Sequence, residues 1–581
     1  MNSQAKYGTI NKEFTSKRRR IMLDFAKDPK FWERVRTSKD YAWQVEEIKE
    51  IYKRAFQTPP RPHTAKEILE NNDNGHWRLQ FDHLQSSFLL SLIYPDNEEY
   101  YNSLIDTVWA YLNEYSWAPI GHYSEYYYQR TPQDFDCGLI DIFASSVAFS
   151  LAEINHLFKG RFPKLLTDRI SYELRRRTIE PYLTRRFFWE THDNNWTAVC
   201  AGGVGGVLIY EAPELYYQCK ERIHASMKCY LDSYKEDGMC VEGVGYWAFG
   251  FGFFASFALL EKELTNGEVD WFKDEKVIEI AKFLQKTFLQ KNVLVTYGDC
   301  SVKQDYQTGL PHMLKYIYGD IIESLPRELA YVGKHNTHPN FLLRSILYHN
   351  SDYYSDTLPT NVTYTASNSA YIVKRTDTYG FSAKGGNNGE SHNHIDVGTF
   401  ILARNNQQII CDIGAGEYLE GYHGDKRYTF FHPSSYAHSL PIINTEGQCQ
   451  KKQEDVIITY DDKTSTASMD IGVAYKLDYL KGLKRSFNFT NEALTLTDKY
   501  TLTSEAEIIE RFISLIEPRV NGTSLVIDDV VLENDYGITP EISIKEVKAH
   551  MSQVGSHNVY MIDYKLQKNQ TEFTLKFKMP Q

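Results

Sequence analysis

The stretch GGNNGESHNHIDVGTFIL, from Gly385 to Leu402, places His392, His394 and Asp396 at alternate positions. In a strand, residues spaced by two share one face. Two imidazoles and a carboxylate on one face suit metal binding, a charge pair or proton transfer. A surface strand whose polar side chains face water accounts for the triplet equally well. Downstream, Asp412 closes the apolar run QQIICDIG, and His438 lies in SSYAHSLPIINTEGQ. A His, an Asp and a second His from three strands, with water in the fourth position, would suit zinc. Asp412, two residues before Gly414, also suits a plain turn former.

Two further clusters lie in the first half. ETHDNNWTAVCAGGVGGVLIY carries His192, Asp193, Asn194, Asn195 and Trp196 before a run of small residues. Asp193 or Asn194 is expected to cap a helix there. The glycines lack the Lys-Ser/Thr of a phosphate loop and point instead to close helix packing. DGMCVEGVGYWAFGFGFF sets Tyr246 and Trp247 among glycines, with Glu242 one turn earlier; Phe249, Phe253 and Phe254 read as core. GHWRL, with His76 and Trp77, and GHYSEYYYQR offer more rings that could line a cleft.

The elements that must position these residues fall into two halves. In LIDIFASSVAFSLAEINHLF, apolar residues Ile140, Phe143, Val147, Leu151, Ile154 and Phe158 recur at steps of three and four, which predicts an amphipathic helix. Such patterns run from about residue 20 to about 345 without a short regular repeat. From about 360 the period changes to two: ALTLTDKYTL and FTLKFKM alternate, and SAYIVKR, GTFILAR, QQIICDIG and TSLVIDDVVLE are short β-rich runs. The expected organisation is a helical domain over 1–350, a central antiparallel β-sheet domain over 360–470 with the His/Asp motif, and a C-terminal β-sheet domain over 471–581. A site at the junction of helices and sheets follows.

Composition narrows the function classes. A net charge of −12 argues against nonspecific nucleic-acid binding, which needs a basic face. It leaves room for a polyanionic substrate in a locally basic cleft. Aromatics reach 14%; Tyr-rich helix packing explains this more simply than rings stacked on sugars. The N-terminal twenty residues have no apolar core, no run approaches a membrane span, and eight Cys form no CxxC pair. A cytoplasmic protein with reduced thiols and no membrane partner is expected.

Taken in order, these segments resemble the heparinase II/III-like polysaccharide lyases. The run HNHIDVGTFILARNNQQIICDIGAGEY, continued by HSLPIINTEGQ, is similar to that family's β-domain signature, and NNW and EGVGYWAFGFGFF to its helical motifs. The resemblance implies an α+β multidomain fold: an N-terminal incomplete (α/α) toroid followed by antiparallel β-sandwich or β-sheet domains. It implies Tyr246, His392 and Asn195 as catalytic residues and His394, Asp412 and His438 as ligands of a structural zinc. His192, Trp196, Glu242, Trp247, His76 and Trp77 are the expected substrate contacts. Some relatives carry a His directly after the Asn where this chain has Trp196; His192 stands in, or the site runs without it.

The implied reaction is β-elimination at a uronic acid of an anionic polysaccharide or oligosaccharide, leaving a 4,5-unsaturated uronate. Heparan sulfate, chondroitin, hyaluronan and alginate-type uronates all fit, with a monomer or homodimer acting alone. The chief alternative is a glycoside hydrolase that pairs Glu242 with Asp136 or Asp299.

Overall fold

The structure, a computed structural model, describes residues 26–70, 75–119, 122, 138–301, 303–334, 338–390, 393–422, 424–549 and 555–580. His392 and Asp136, both singled out in the sequence, lie outside the described residues.

Helices fill the first half, from Pro29–Thr37 to Pro339–Leu347. Five of them, His76–Ile93, Ile142–Leu157, Asn195–Glu211, Val244–Leu264 and Pro339–Leu347, pack against one another as an inner layer. Others, such as Glu98–Leu112 and Pro213–Asp232, cover them. The Ile142–Leu157 helix is not amphipathic as its apolar stripe predicts. Ser145, Ser146, Ser150, Glu153 and Asn155 are buried along with the stripe, because neighbouring inner helices and the outer layer enclose it. Buried Glu153 is matched by buried Arg344 at 2.8 Å from the Pro339–Leu347 helix, as a charge away from water requires.

The glycines of Asn195–Glu211 allow the inner helices to touch. A Cβ at Gly203 would sit 2.7 Å from the Ser145 carbonyl oxygen, and one at Gly202 would sit 3.0 Å from that of Phe253. The Val244–Leu264 helix is long and apolar enough to cross a membrane, contrary to the expectation that no such run exists. Most of it is buried as an inner helix.

The second half is β. Strands Val362–Ala366, Tyr371–Arg375, Gly380–Lys384, Phe400–Arg404 and Gln407–Ile410 form a five-stranded antiparallel meander. Both faces of its three central strands are buried, which is why those runs lack a polar alternation. Tyr371, Val373, Ile401 and Ala403 join the core of the helical half. Ile372, Phe381, Phe400 and Leu402 point the other way, into a core shared with Phe487, Leu496, Phe512 and Phe577. Those come from an eight-stranded and a four-stranded antiparallel sheet that close the sandwich.

Two expectations are corrected here. The division at 470/471 cuts the eight-stranded sheet, in which Thr466–Asp470 pairs with Leu480–Phe489. His394 and Asp396 are not on a strand: residues 393–399 are turn and irregular, and the strand begins at Phe400. Asp396 is drawn off by buried Lys384, 2.7 Å away, rather than orienting a His or Arg.

Candidate active site

The cleft is built from helix starts. Asn194 caps the Asn195–Glu211 helix, its side chain accepting from Trp196 N at 3.1 Å. That places Asn195 in the first turn, almost fully buried. On the neighbouring helix, a Cβ at Gly250 would stand 3.1 Å from Asn195 Cβ. The glycine therefore lets the helix carrying Tyr246 approach the asparagine. Gly243, at φ 96°, makes the turn from which the Val244–Leu264 helix starts, and Tyr246 follows in its first turn.

Asn195, Tyr246 and Glu242 line one cleft of about 750 Å³ between the helical half and the loops around 387–390 and 452–455. Among the described lining residues, Asp193, Asp232, Glu242, Glu390 and Asp455 face Lys228, Lys235 and Lys452. Lys235 is paired across the domain junction with Asp455 at 3.0 Å.

Burial pushes the Tyr246 phenol well above its ordinary value, and Tyr418, Asp299 and Glu242 add to the rise. Tyr246 and Tyr418 are hydrogen-bonded to each other. Burial likewise raises Glu390, with Lys384 and Lys235 only partly opposing it.

Behind the cleft, the predicted His394, Asp412 and His438 do come together. All three are buried, and one donor atom from each lies within 4.8 Å of the others. His438 Nε2 contacts the His432 carbonyl oxygen at 3.1 Å and its Nδ1 contacts Asp412 Oδ2 at 3.0 Å. His394 Nε2 contacts Asp299 Oδ1 at 3.1 Å, while its Nδ1 is buried without a partner. Burial disfavours charge on both imidazoles, but Asp412 beside His438 outweighs it and raises that pKa, whereas His394 is lowered.

Asp299 is the hub sequence reasoning assigned elsewhere. Besides His394 it accepts from Arg427 Nη2 at 2.9 Å and Tyr422 OH at 3.1 Å. Arg427 also donates to the Asn393 carbonyl oxygen at 3.0 Å. Asp299 is thus a buried carboxylate whose Oδ1 gathers three side chains, a structural task in place of the hydrolytic acid of the alternative reading. Tyr418, Tyr422, Arg427 and Glu390 carry no local motif; only their proximity in the fold reveals them.

Several expected substrate contacts lie elsewhere. Trp247 is 1% exposed and donates from Nε1 to the Ile280 carbonyl oxygen at 2.9 Å. One residue beyond Tyr246, it is rotated about 100° around the helix and into the core. His192 is exposed and packs edge-on against Phe188, outside the cleft lining. Trp196 packs on His122 and Phe188, each ring 5.4 Å away. Trp77 packs on Phe143 at 4.7 Å, and His76 on His63 at 4.5 Å. Trp77, Phe143, His122 and Trp196 make a row of rings along the helix starts, beside the cleft rather than in its lining.

No family model matches the chain, and no curated protein sequence does. Solved structures match along its length. Heparinase III superposes at a TM-score of 0.60 with 13% identity, covering 95% of this chain and 94% of that one. Heparan sulfate lyase HepC from Pedobacter heparinus gives 0.57 with 13% identity over 96% and 91%. The Streptomyces coelicolor A3 chondroitin AC lyase, in complex with chondroitin sulphate, gives 0.57 with 9% identity over 96% and 82%. At these identities the likeness is one of fold: the chain has the α+β multidomain architecture of the heparinase-like lyases, helical first and β-sheet second.

Proposed function

We propose that the chain is a polysaccharide lyase that cleaves a uronate-containing glycosaminoglycan or its oligosaccharides by β-elimination. The observation that carries the reading is that Asn195 and Tyr246 line one cleft at the helix–sheet junction. The shared fold supports it.

Elimination removes the C5 proton and breaks the C4–O4 bond, and the electron pair becomes the C4–C5 double bond. An ionised carboxylate resists this, because charge builds on it as the proton leaves. The Asn195 amide donates to that carboxylate and stabilises the enolate-like transition state, as an oxyanion hole does. Tyr246, its pKa held high by burial first and by neighbouring Tyr418, Asp299 and Glu242, is a neutral phenol at neutral pH. It therefore serves as the acid that gives its proton to O4. With Tyr246 as the acid, the base for the C5 proton falls to His392, which the resemblance implies as catalytic.

His394, Asp412 and His438 fit a zinc ion. The unpartnered buried Nδ1 of His394 is a donor without a task, and the Nε2 contacts of both imidazoles leave Nδ1 as the ligating nitrogen. Bound there, the ion would tie three β-domain segments together. Asp299 would connect that tie to the Tyr246–Tyr418 pair.

The mixed charge of the cleft favours a substrate with about one carboxylate per repeat over a densely sulfated chain. Glu242 and Glu390 in the same cleft are what a hydrolase reading would use. The test is ultraviolet absorbance on heparan sulfate, chondroitin, hyaluronan and alginate, with wild type and Tyr246→Phe side by side. Absorbance from the unsaturated uronate, lost in Tyr246→Phe, is the expected result. New reducing ends without absorbance would replace the lyase with a hydrolase.

A further inference from the structure

A second set of donors stands at the start of the His76–Ile93 helix, apart from the cleft. One donor atom from each of His63, His76 and Glu114 lies within 4.8 Å of the other two. We infer that these three residues form a divalent-cation site of the zinc class, tying the 61–64 connector to the helix start and to the turn after Glu98–Leu112.

Two imidazoles and a carboxylate are a donor set that zinc takes at a three-residue site. The donors are sheltered. The side chains of His63 and Glu114 are 10% and 2% exposed, and His76 is 7% exposed. His76 Nε2 contacts the Arg61 carbonyl oxygen at 3.0 Å, which holds its proton there and leaves Nδ1 with a lone pair. His63 Nδ1 lies 3.0 Å from Glu114 Oε2, and its Nε2 is buried without any partner. The Glu114 carboxylate only accepts, so it holds the His63 proton on Nδ1 and leaves the Nε2 lone pair buried and unused. His63 therefore carries a nitrogen lone pair that no group of the protein claims.

Surrounding bonds set all three segments before any ion arrives. Gln80 donates to both the Arg61 carbonyl oxygen, at 3.1 Å, and the Glu114 carboxylate. Arg61 grips Glu67 with two bonds, at 2.6 and 2.8 Å. Arg177 donates to the Glu114 carbonyl oxygen at 2.6 Å. The site is thus built from three chain segments, each anchored independently, as a specific site requires. It adjoins Trp77, the first ring of the row that runs toward Trp196.

The experiment is equilibrium dialysis of chelator-stripped full-length protein against zinc chloride, with metal counted by mass spectrometry and folding checked by circular dichroism. His394→Ala removes any zinc held behind the cleft, so that the two sites are read separately. In this background the protein is expected to keep one zinc per chain, and adding His76→Gln or Glu114→Gln is expected to remove it. Either variant alone suffices, which covers the case in which one disturbs the fold. A folded His394→Ala protein with no zinc would overturn the inference. So would a folded double variant that keeps its zinc. Wild type with one zinc that survives His394→Ala would leave this site standing and end the zinc reading behind the cleft.

Discussion

At the scale of single residues, the reading rests most directly on Asn195. Its amide is asked to stabilise a transition state and little else, since it is held by the Asn194 cap and the close approach of Gly250. Asn195→Ala should therefore lower kcat by about 10²–10³-fold, about 3 kcal/mol in the barrier, with KM and melting temperature nearly unchanged. Initial rates of ultraviolet absorbance check this. A loss confined to KM would make Asn195 a binding residue instead. Asn195, Tyr246 and the His394–Asp412–His438 set were legible in the sequence because each sits in a short run with a motif around it. Trp247 was misread from the same run: adjacency in sequence says nothing of which way a helical side chain points, and the Ile280 carbonyl claims its indole. Asp299, Tyr418, Arg427 and Glu390 were not legible as a group, because distant segments deliver them and only the fold makes them neighbours.

At the scale of elements, helix starts and strand ends do the positioning, and glycines set how closely the helices pack. Gly203 faces the Ser145 backbone, which cannot move aside as a flexible side chain could. Gly203→Ala should cost roughly 1–3 kcal/mol through overpacking and lower the melting temperature. Gly245→Ala, whose Cβ would meet nothing within 4 Å, should stay within about 0.5 kcal/mol of wild type. Thermal unfolding of the two variants decides; equal effects would mean that the inner helices slide to relieve the contact. The periods that announced helices before 345 and strands after 360 were legible because local patterning survives folding. The faces were not. A helix in an inner layer is buried all round, so the apolar stripe of Ile142–Leu157 predicted an exposed side that does not exist. The alternation at His394 and Asp396 mimics a strand, yet Asp396 is paired with Lys384 and the chain turns at Gly398 before the strand starts at Phe400.

At the scale of the whole molecule, the five-stranded sheet is the middle layer and belongs to two cores at once. Tyr371, Val373, Ile401 and Ala403 complete the core of the helical half, and their strand neighbours complete the sandwich. Hydrogen bonds cross the same junction: Ser369 N to Asp237 Oδ2 at 2.7 Å, Ala415 N to the Cys300 carbonyl oxygen at 2.9 Å, and Thr296 Oγ1 to the Asp412 carbonyl oxygen at 3.0 Å. Separate domains joined by a linker would unfold in separate steps, whereas a shared sheet couples them. Unfolding of either core strips one face of that sheet and exposes its apolar side chains to water, at about 25 cal/mol per Å². The remaining half loses the wall it packs on. A single cooperative transition is therefore expected despite the length of the chain, where domain-by-domain unfolding is the ordinary rule. The composition supplies the probe. All nine Trp lie at or before residue 271, so indole fluorescence reports the helical half alone. Circular dichroism in the β-sheet region follows the rest. Coincident midpoints and slopes in urea would establish the coupling. A fluorescence transition that precedes loss of β signal would show that the sandwich stands without the helices. The cleft, which needs both halves, would then open before either core is lost.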